Sequence, residues 1–302
     1  MNNIPTTGEL FATNQVSPDT ERCYRNQLRH FASWIETAQG KTEIEDVTLV
    51  DLLAYKQTLT HLAPSTQKRY LATLKSFFNW AYESGIIALD PAAGLKLPRV
   101  LQGKAPTHLT IEETRDLFEH VPSGRYAKRD RAMLWCLVHG LRVAEVASLN
   151  LADVMKPDDE HMPALRVRGK GKKQRTVPLI QPAYDAICEY LNGRVDTVGR
   201  NPLLVCTYKG SLVHRMSTRA LHKRFAMLAK RAGIAPDKRH PHSARHGYAT
   251  RMLFEAKVPG GIYTVSRLLG HSRVATTEMY LHASQKKLQE AALADPLAMG
   301  VY

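Results

Sequence analysis

Residues 163-PALRVRGKGKKQRTVPL-179 alternate apolar and polar side chains on both sides of a glycine- and lysine-rich turn. Period-two alternation places one set of side chains on a buried face, and the turn joins the two halves, so the stretch predicts a β-hairpin. Its surroundings read differently. Thr110-Ile-Glu-Glu113 has the spacing of a capping box that starts a helix, and helical patterns follow around 127–139 and 143–149. From Pro182 onward the pattern is helical again, including the basic stretch 217-STRALHKRFAMLAKRAG-233.

Upstream, the first third is helical throughout. Ser17-Pro18-Asp19 is a start signal, and Tyr24, Leu28, Phe31, Trp34 and Ile35 follow at spacings of three and four. A second helix is expected near Thr48. A third, from Ser65, carries the stripe Tyr70, Leu71, Leu74, Phe77, Phe78 and Tyr82, with Lys68, Arg69 and Lys75 on its flanks as candidate contacts to a phosphate backbone. Residues 99–108, RVLQGKAPTH, have no period and contain Gly and Pro, as a linker would. The expected fold is therefore mainly α: a small helical domain over 1–98, a linker over 99–108, and an α-rich domain with a small antiparallel sheet over 109–302.

Charge is distributed unevenly along the 302 residues. The chain carries 42 Lys+Arg against 28 Asp+Glu, a net of +14, yet residues 1–105 contribute 11 against 10. Nearly all the excess lies in the second domain, and a basic surface of that size points to nucleic acid as the partner rather than a membrane. The four cysteines, Cys23, Cys136, Cys188 and Cys206, are far apart, so neither a disulfide framework nor a zinc site is expected. The N-terminus has no secretory pattern and no apolar run approaches membrane-spanning length, so a cytoplasmic location is expected.

The second domain also holds a set of groups suited to one chemistry. Arg142 and Arg245 are planar guanidiniums that hold phosphate oxygens in pairs, and His242 and His271 donate hydrogen bonds or move protons near neutral pH. Lys170 sits in the hairpin turn beside Lys172 and Lys173, any of which offers an ammonium to a departing oxygen. Tyr280 becomes a nucleophile when its proton is removed. No carboxylate cluster with metal-ligand spacing accompanies them, and H-x-x-R-H lacks the glutamate of H-E-x-x-H. The expectation is metal-free attack on a phosphodiester, with no cofactor.

In their order, Arg142 within 140-GLRVAE-145, Lys170 within 169-GKGKKQR-175, His242-x-x-Arg245, Leu269-Gly270-His271 and Tyr280 resemble the catalytic set of the tyrosine recombinases, or phage integrase family, most closely in its bacterial Xer-type members. The resemblance implies that residues 1–98 form the core-binding domain and 109–302 the catalytic domain. It implies that Arg142 and Arg245 clamp the scissile phosphate, that His242 and His271 bond to it and assist proton movement, and that Lys170 protonates the leaving 5′ oxygen. Tyr280 would form a 3′-phosphotyrosyl bond to DNA, with Glu145 and His246 supporting the pocket. Strands would be exchanged pairwise through a Holliday junction, by a homotetramer on double-stranded DNA with inverted-repeat core sites, with or without a related recombinase or accessory protein. The tail 281–302, with Leu288, Ala291, Ala292 and Leu297 on one face, would join protomers, and the short N-terminus suggests that no further arm-binding domain precedes. Ala244 departs from the leucine common in the family, and the interval containing VPGGIY is longer than usual. Lys172, Lys173, Arg175, Arg219, Lys223 and Arg224 complete the expected DNA-binding set. A type IB topoisomerase-like relaxing enzyme, or a catalytically silent accessory protein, are the alternatives.

Overall fold

A computed structural model describes residues 2–14, 18–100, 107–169, 174–194, 202–208, 212–256, 258, 260–270 and 277. The chain divides into two compact units, Met1–Gly103 and Lys104–Tyr302.

The first unit is helical. Helix α1 (Ile4–Thr13) starts at Asn3, whose side chain accepts from the Thr6 N–H, and carries proline in its first turn, where the missing donor costs nothing. This helix was not expected from the sequence. It packs on α2 (Pro18–Gln39), which packs in turn on α3 (Leu49–Thr58) and α4 (Pro64–Glu83). Thr48 and Asp51 cap α3 reciprocally, as the helix expected near Thr48 requires. Leu71, Leu74, Phe77, Phe78 and Ala81 recur along α4 at helical spacing and are fully buried. Their rings interlock with Phe11, Phe31 and Tyr55: Phe77 and Phe78 have centroids 5.0 Å apart, and Phe31 meets Tyr55 edge-on at 5.1 Å. Tyr82, at the end of the same stripe, is exposed instead.

The second unit is built around α6 (Ala127–Val138), which is buried along most of its length and packs against α8 (Gln181–Asn192) and α10 (Pro241–Phe254). Ahead of it, Thr110 and Glu113 form the capping box of α5 (Ile111–Glu119). Behind it, α7 (Val143–Ser148) leads into a three-stranded antiparallel sheet of β1 (Val154–Met155), β2 (Ala164–Arg168) and β3 (Gln174–Pro178). Strands β2 and β3 are the hairpin expected from the sequence, with Leu165 opposite Val177 and Val167 opposite Arg175. Leu165, Val167 and Val177 are buried while Arg166 and Arg168 face outward.

One element departs from the reading of everything after Pro182 as helical. Strands β4 (Val205–Tyr208) and β5 (Leu212–Arg215) form a second hairpin between α8 and α9 (Thr218–Arg231). Arg215 anchors it, donating to the carbonyls of Ala147 and Leu149 at 2.9 and 2.8 Å and to Asn150 at 2.6 Å. Helix α11 (Gly261–Leu269) follows α10 and packs on it. Among the described helices none is long and apolar enough to cross a membrane.

Candidate active site

Arg142 occupies the N-cap position of α7, immediately after the turn that ends α6. That turn needs glycine at position 140. Its φ is +82°, and a Cβ there would lie 2.6 Å from the Tyr248 ring and 3.0 Å from Leu269. Glu145, one turn into α7, accepts from the Arg142 backbone N–H at 2.8 Å through Oε2 and from Arg142 Nη1 at 2.9 Å through Oε1. One carboxylate thus satisfies an orphan helix-start donor and fixes the side chain of the same residue.

Arg245 comes from α10, whose N-cap His240 accepts from the Ser243 N–H. It is buried and crosses to the Gly140 carbonyl through Nη1, while Nη2 donates to the Leu269 carbonyl at 2.7 Å. Arg142 Nη1 donates to that same Leu269 carbonyl at 3.2 Å, and Nη2 to Gly270 at 3.1 Å. Two guanidiniums therefore converge on one backbone oxygen at the C-terminal end of α11. The last carbonyls of a helix have no partner within it and carry the negative end of its dipole, so this end is suited to receive cations.

A third guanidinium joins them. Arg175, on β3, grips both oxygens of Glu145 at 2.7 and 2.9 Å and donates through Nε to the Leu268 carbonyl at 2.9 Å. Expected among the DNA contacts, its side chain is 15% exposed and is bonded within the protein through all three guanidinium nitrogens. Burial would raise the Glu145 pKa, but the hydrogen bonds and charge of Arg175, helped by Arg142, hold it below the usual carboxylate value. The carboxylate is ionised, and three arginines surround it.

His242 and His246 lie one turn apart on α10, with ring centroids 6.0 Å apart. Burial first, and the Arg245 charge second, hold His242 below its ordinary pKa. The same burial, reinforced by His242, pushes His246 down to about 4. Both rings are thus neutral at pH 7, and the positive charge of the pocket belongs to its arginines. A neutral imidazole can accept a proton as well as donate a hydrogen bond.

The remaining expected residues fall in three groups. Lys170, Lys172, Lys173, His271 and Tyr280 lie outside the described residues. Lys68 and Arg69 on α4, and Arg219 and Lys223 in the first turns of α9, are exposed. Lys75 and Arg224 are occupied. Lys75 Nζ reaches the Ala93 and Leu95 carbonyls at 3.4 and 3.2 Å. Arg224 donates through two nitrogens to Asp130, which is fully buried and also held by Arg129 at 2.8 Å. Arg224 is therefore the counter-ion of a buried carboxylate.

Comparison with known proteins bears on the family of the chain. Residues 107–287 match the Phage integrase family, and residues 7–85 match the Phage integrase N-terminal SAM-like domain. Tyrosine recombinase XerC of Chlorobaculum parvum is 32% identical over 95% of this chain and 91% of its own length. XerC of Pelobacter propionicus is 33% identical over 93% and 90%. Among solved structures, XerH in a post-cleavage complex with a palindromic difH substrate superposes with a TM-score of 0.74, at 21% identity over 96% of this chain and 84% of the other. The Tn1549 transposon integrase with transposon right end DNA gives 0.73 at 18% identity, over 96% and 98%. These two share the fold. A family match over more than half the chain, with relatives above 30% identity along nearly all of it, shows that the protein belongs to the phage integrase family, that of the tyrosine recombinases.

Proposed function

We propose that the protein performs its family's reaction, site-specific DNA recombination, through a transient 3′-phosphotyrosyl bond. The observation that carries the reading is the convergence of Arg142 and Arg245 on the Leu269 carbonyl, at 3.2 and 2.7 Å. Side chains that share one oxygen stay within a few ångströms of each other without a ligand, so their charges are gathered before the phosphate arrives. In this reading Tyr280 Oη attacks the scissile phosphorus and passes its proton to the neutral His242. The P–O5′ bond breaks, and Lys170 gives a proton to the departing oxygen. Arg142, Arg245 and His271 balance the charge that builds on the non-bridging oxygens. Preorganised donors of this kind contribute about 3–4 kcal/mol each to the transition state. The new ester keeps the energy of the broken one, so rejoining needs no nucleotide.

Residues 1–98 and 109–302 act in this reading as core-binding and catalytic domains joined by the linker 99–108. The exposed Lys68, Arg69, Arg219 and Lys223 face DNA together with Lys172 and Lys173. Four protomers on paired inverted-repeat sites exchange strands through a Holliday junction, joined by the tail 281–302.

The test uses nicked suicide duplexes built from inverted repeats flanking the gene. Wild-type protein forms an SDS-resistant DNA adduct, Tyr280→Phe forms none, and Arg245→Ala forms it about two to three decades more slowly. Specific binding with no adduct would instead mark an accessory binder. Relaxation of plasmids that lack the repeats would mark a topoisomerase.

A further inference from the structure

Arg175 joins three separate elements. It belongs to β3, holds Glu145 of α7 by both oxygens, and holds the Leu268 carbonyl of α11. Its guanidinium lies so close to Gly270 that a Cβ there would sit 2.7 Å from Nη1 and 2.9 Å from Cζ. Gly270 also has φ +65°. The glycine before His271 is thus favoured by its own backbone, and the arginine lies directly against it. In the hairpin, Arg175 opposes the buried Val167, so its side chain starts from the inward face of the strand pair.

We propose that Arg175 is a positioning residue for strand cleavage: it ties the first residues of β3, which follow Lys170, Lys172 and Lys173 in sequence, to the end of α11, which precedes His271, across a common anchor at Glu145. The inference rests on the roles given above to Lys170 and Tyr280. A guanidinium that binds a carboxylate bidentately and a carbonyl at once fixes orientation as well as distance, which a lysine ammonium in its place cannot do. Release of that tie lets the leaving-group acid move relative to the phosphate, and displacement of about 1 Å costs on the order of 100-fold in rate.

The experiment uses the full chain and the suicide duplex in two forms, with a normal P–O5′ bond or with sulfur as the 5′ bridging atom. A departing thiolate, with its conjugate acid near pKa ~8.5, leaves without a proton, whereas an alkoxide needs one. Arg175→Ala is expected to form adduct about 100-fold more slowly on the oxygen substrate and to return within about tenfold of wild type on the sulfur one. Arg175→Lys, which keeps the charge, should show the same rescue with a smaller defect. Arg142→Ala should stay slow on both. DNA affinity and the slope of log affinity against log salt should be unchanged in Arg175→Ala, because no phosphate contact is lost. An Arg175→Lys variant that matches wild type on oxygen, or one equally slow on both substrates, overturns the positioning role. A salt slope reduced by about one would return Arg175 to the phosphate contacts and overturn it as well. If wild type itself forms no adduct on either substrate, the recombinase reading of the site fails and takes this role with it; the sulfur rescue and the salt slope fail separately from it.

Discussion

Glu145 holds Arg142 at both ends, accepting from its backbone N–H at 2.8 Å and from its Nη1 at 2.9 Å, while the same two oxygens bind Arg175. Glu145 is 4% exposed. Removing the carboxylate leaves three guanidiniums in one enclosed place with only carbonyls to balance them. Glu145→Ala should therefore lower stability by about 3–5 kcal/mol, the range for a broken buried pair, measured by urea unfolding at pH 7. The folded pKa lies below the ordinary 4.5, so this carboxylate stabilises the fold above pH 4.5 and loses that contribution as pH falls through its lower folded value. Glu145→Gln should show a flatter decline across that acid window; an unchanged decline would remove Glu145 from the account.

His246 acts in the same direction from a higher starting pH. It is a base whose folded pKa, about 4, lies below its ordinary 6.5. Between these values the unfolded chain binds the proton and the folded one does not, so stability rises with pH across the window and falls as the solution is acidified through it. His246→Gln should abolish part of that fall between pH 6.5 and 4. His242, also held below 6.5, predicts that adduct formation is near its plateau at pH 7 and declines only on acidification. A rate that keeps rising tenfold per unit through pH 7 would assign the proton acceptor elsewhere.

The order of these residues along the chain was enough to point to a phosphodiester, and the alternation of 163–179 was enough to predict β2 and β3. What stayed hidden has physical causes. Helix α1 starts at Asn3-Ile4-Pro5, an N-cap followed by proline, but it spans only ten residues and includes Gly8, so its period was weak. The β4–β5 hairpin is four residues per strand and lies between two strongly helical patterns. The charge of Arg175 suggests a DNA contact, and its ties to Glu145 and Leu268 are foreshadowed only by the inward parity it shares with Val177. Arg224 shows the limit more sharply: its partner Asp130 is 94 positions away in sequence, and nothing local records the pairing.

That pairing makes a prediction of its own. Asp130 is fully buried between Arg129 and Arg224, so Arg224→Ala leaves a carboxylate in the core with half its counter-charge. Stability should fall by about 3 kcal/mol, at the low end for a buried pair because Arg129 remains. Arg224→Ala with Asp130→Asn should recover much of that loss, since the uncompensated charge goes with it. The double-mutant cycle, read by thermal or urea unfolding, checks this, and additive losses would contradict it.

The exposed basic residues predict a different response, in binding rather than in stability. If each protomer neutralises about eight phosphates, affinity for its site falls by roughly four decades between 50 and 200 mM salt. Within that slope, Arg219→Ala or Lys223→Ala on the first turns of α9 should each reduce the steepness by about one, with unfolding unchanged because both side chains are exposed. Lys68→Ala and Arg69→Ala on α4 test the same of the first unit. Lys75→Ala, whose ammonium caps the Ala93 and Leu95 carbonyls, should act more weakly on the slope than either. Fluorescence anisotropy across a salt series on one duplex measures all five variants. A response near flat for wild type would mean that the excess of charge in the second unit is not where DNA lies. A normal slope that no α9 variant alters would move the interface off that helix while leaving the arginine cluster of the site untouched.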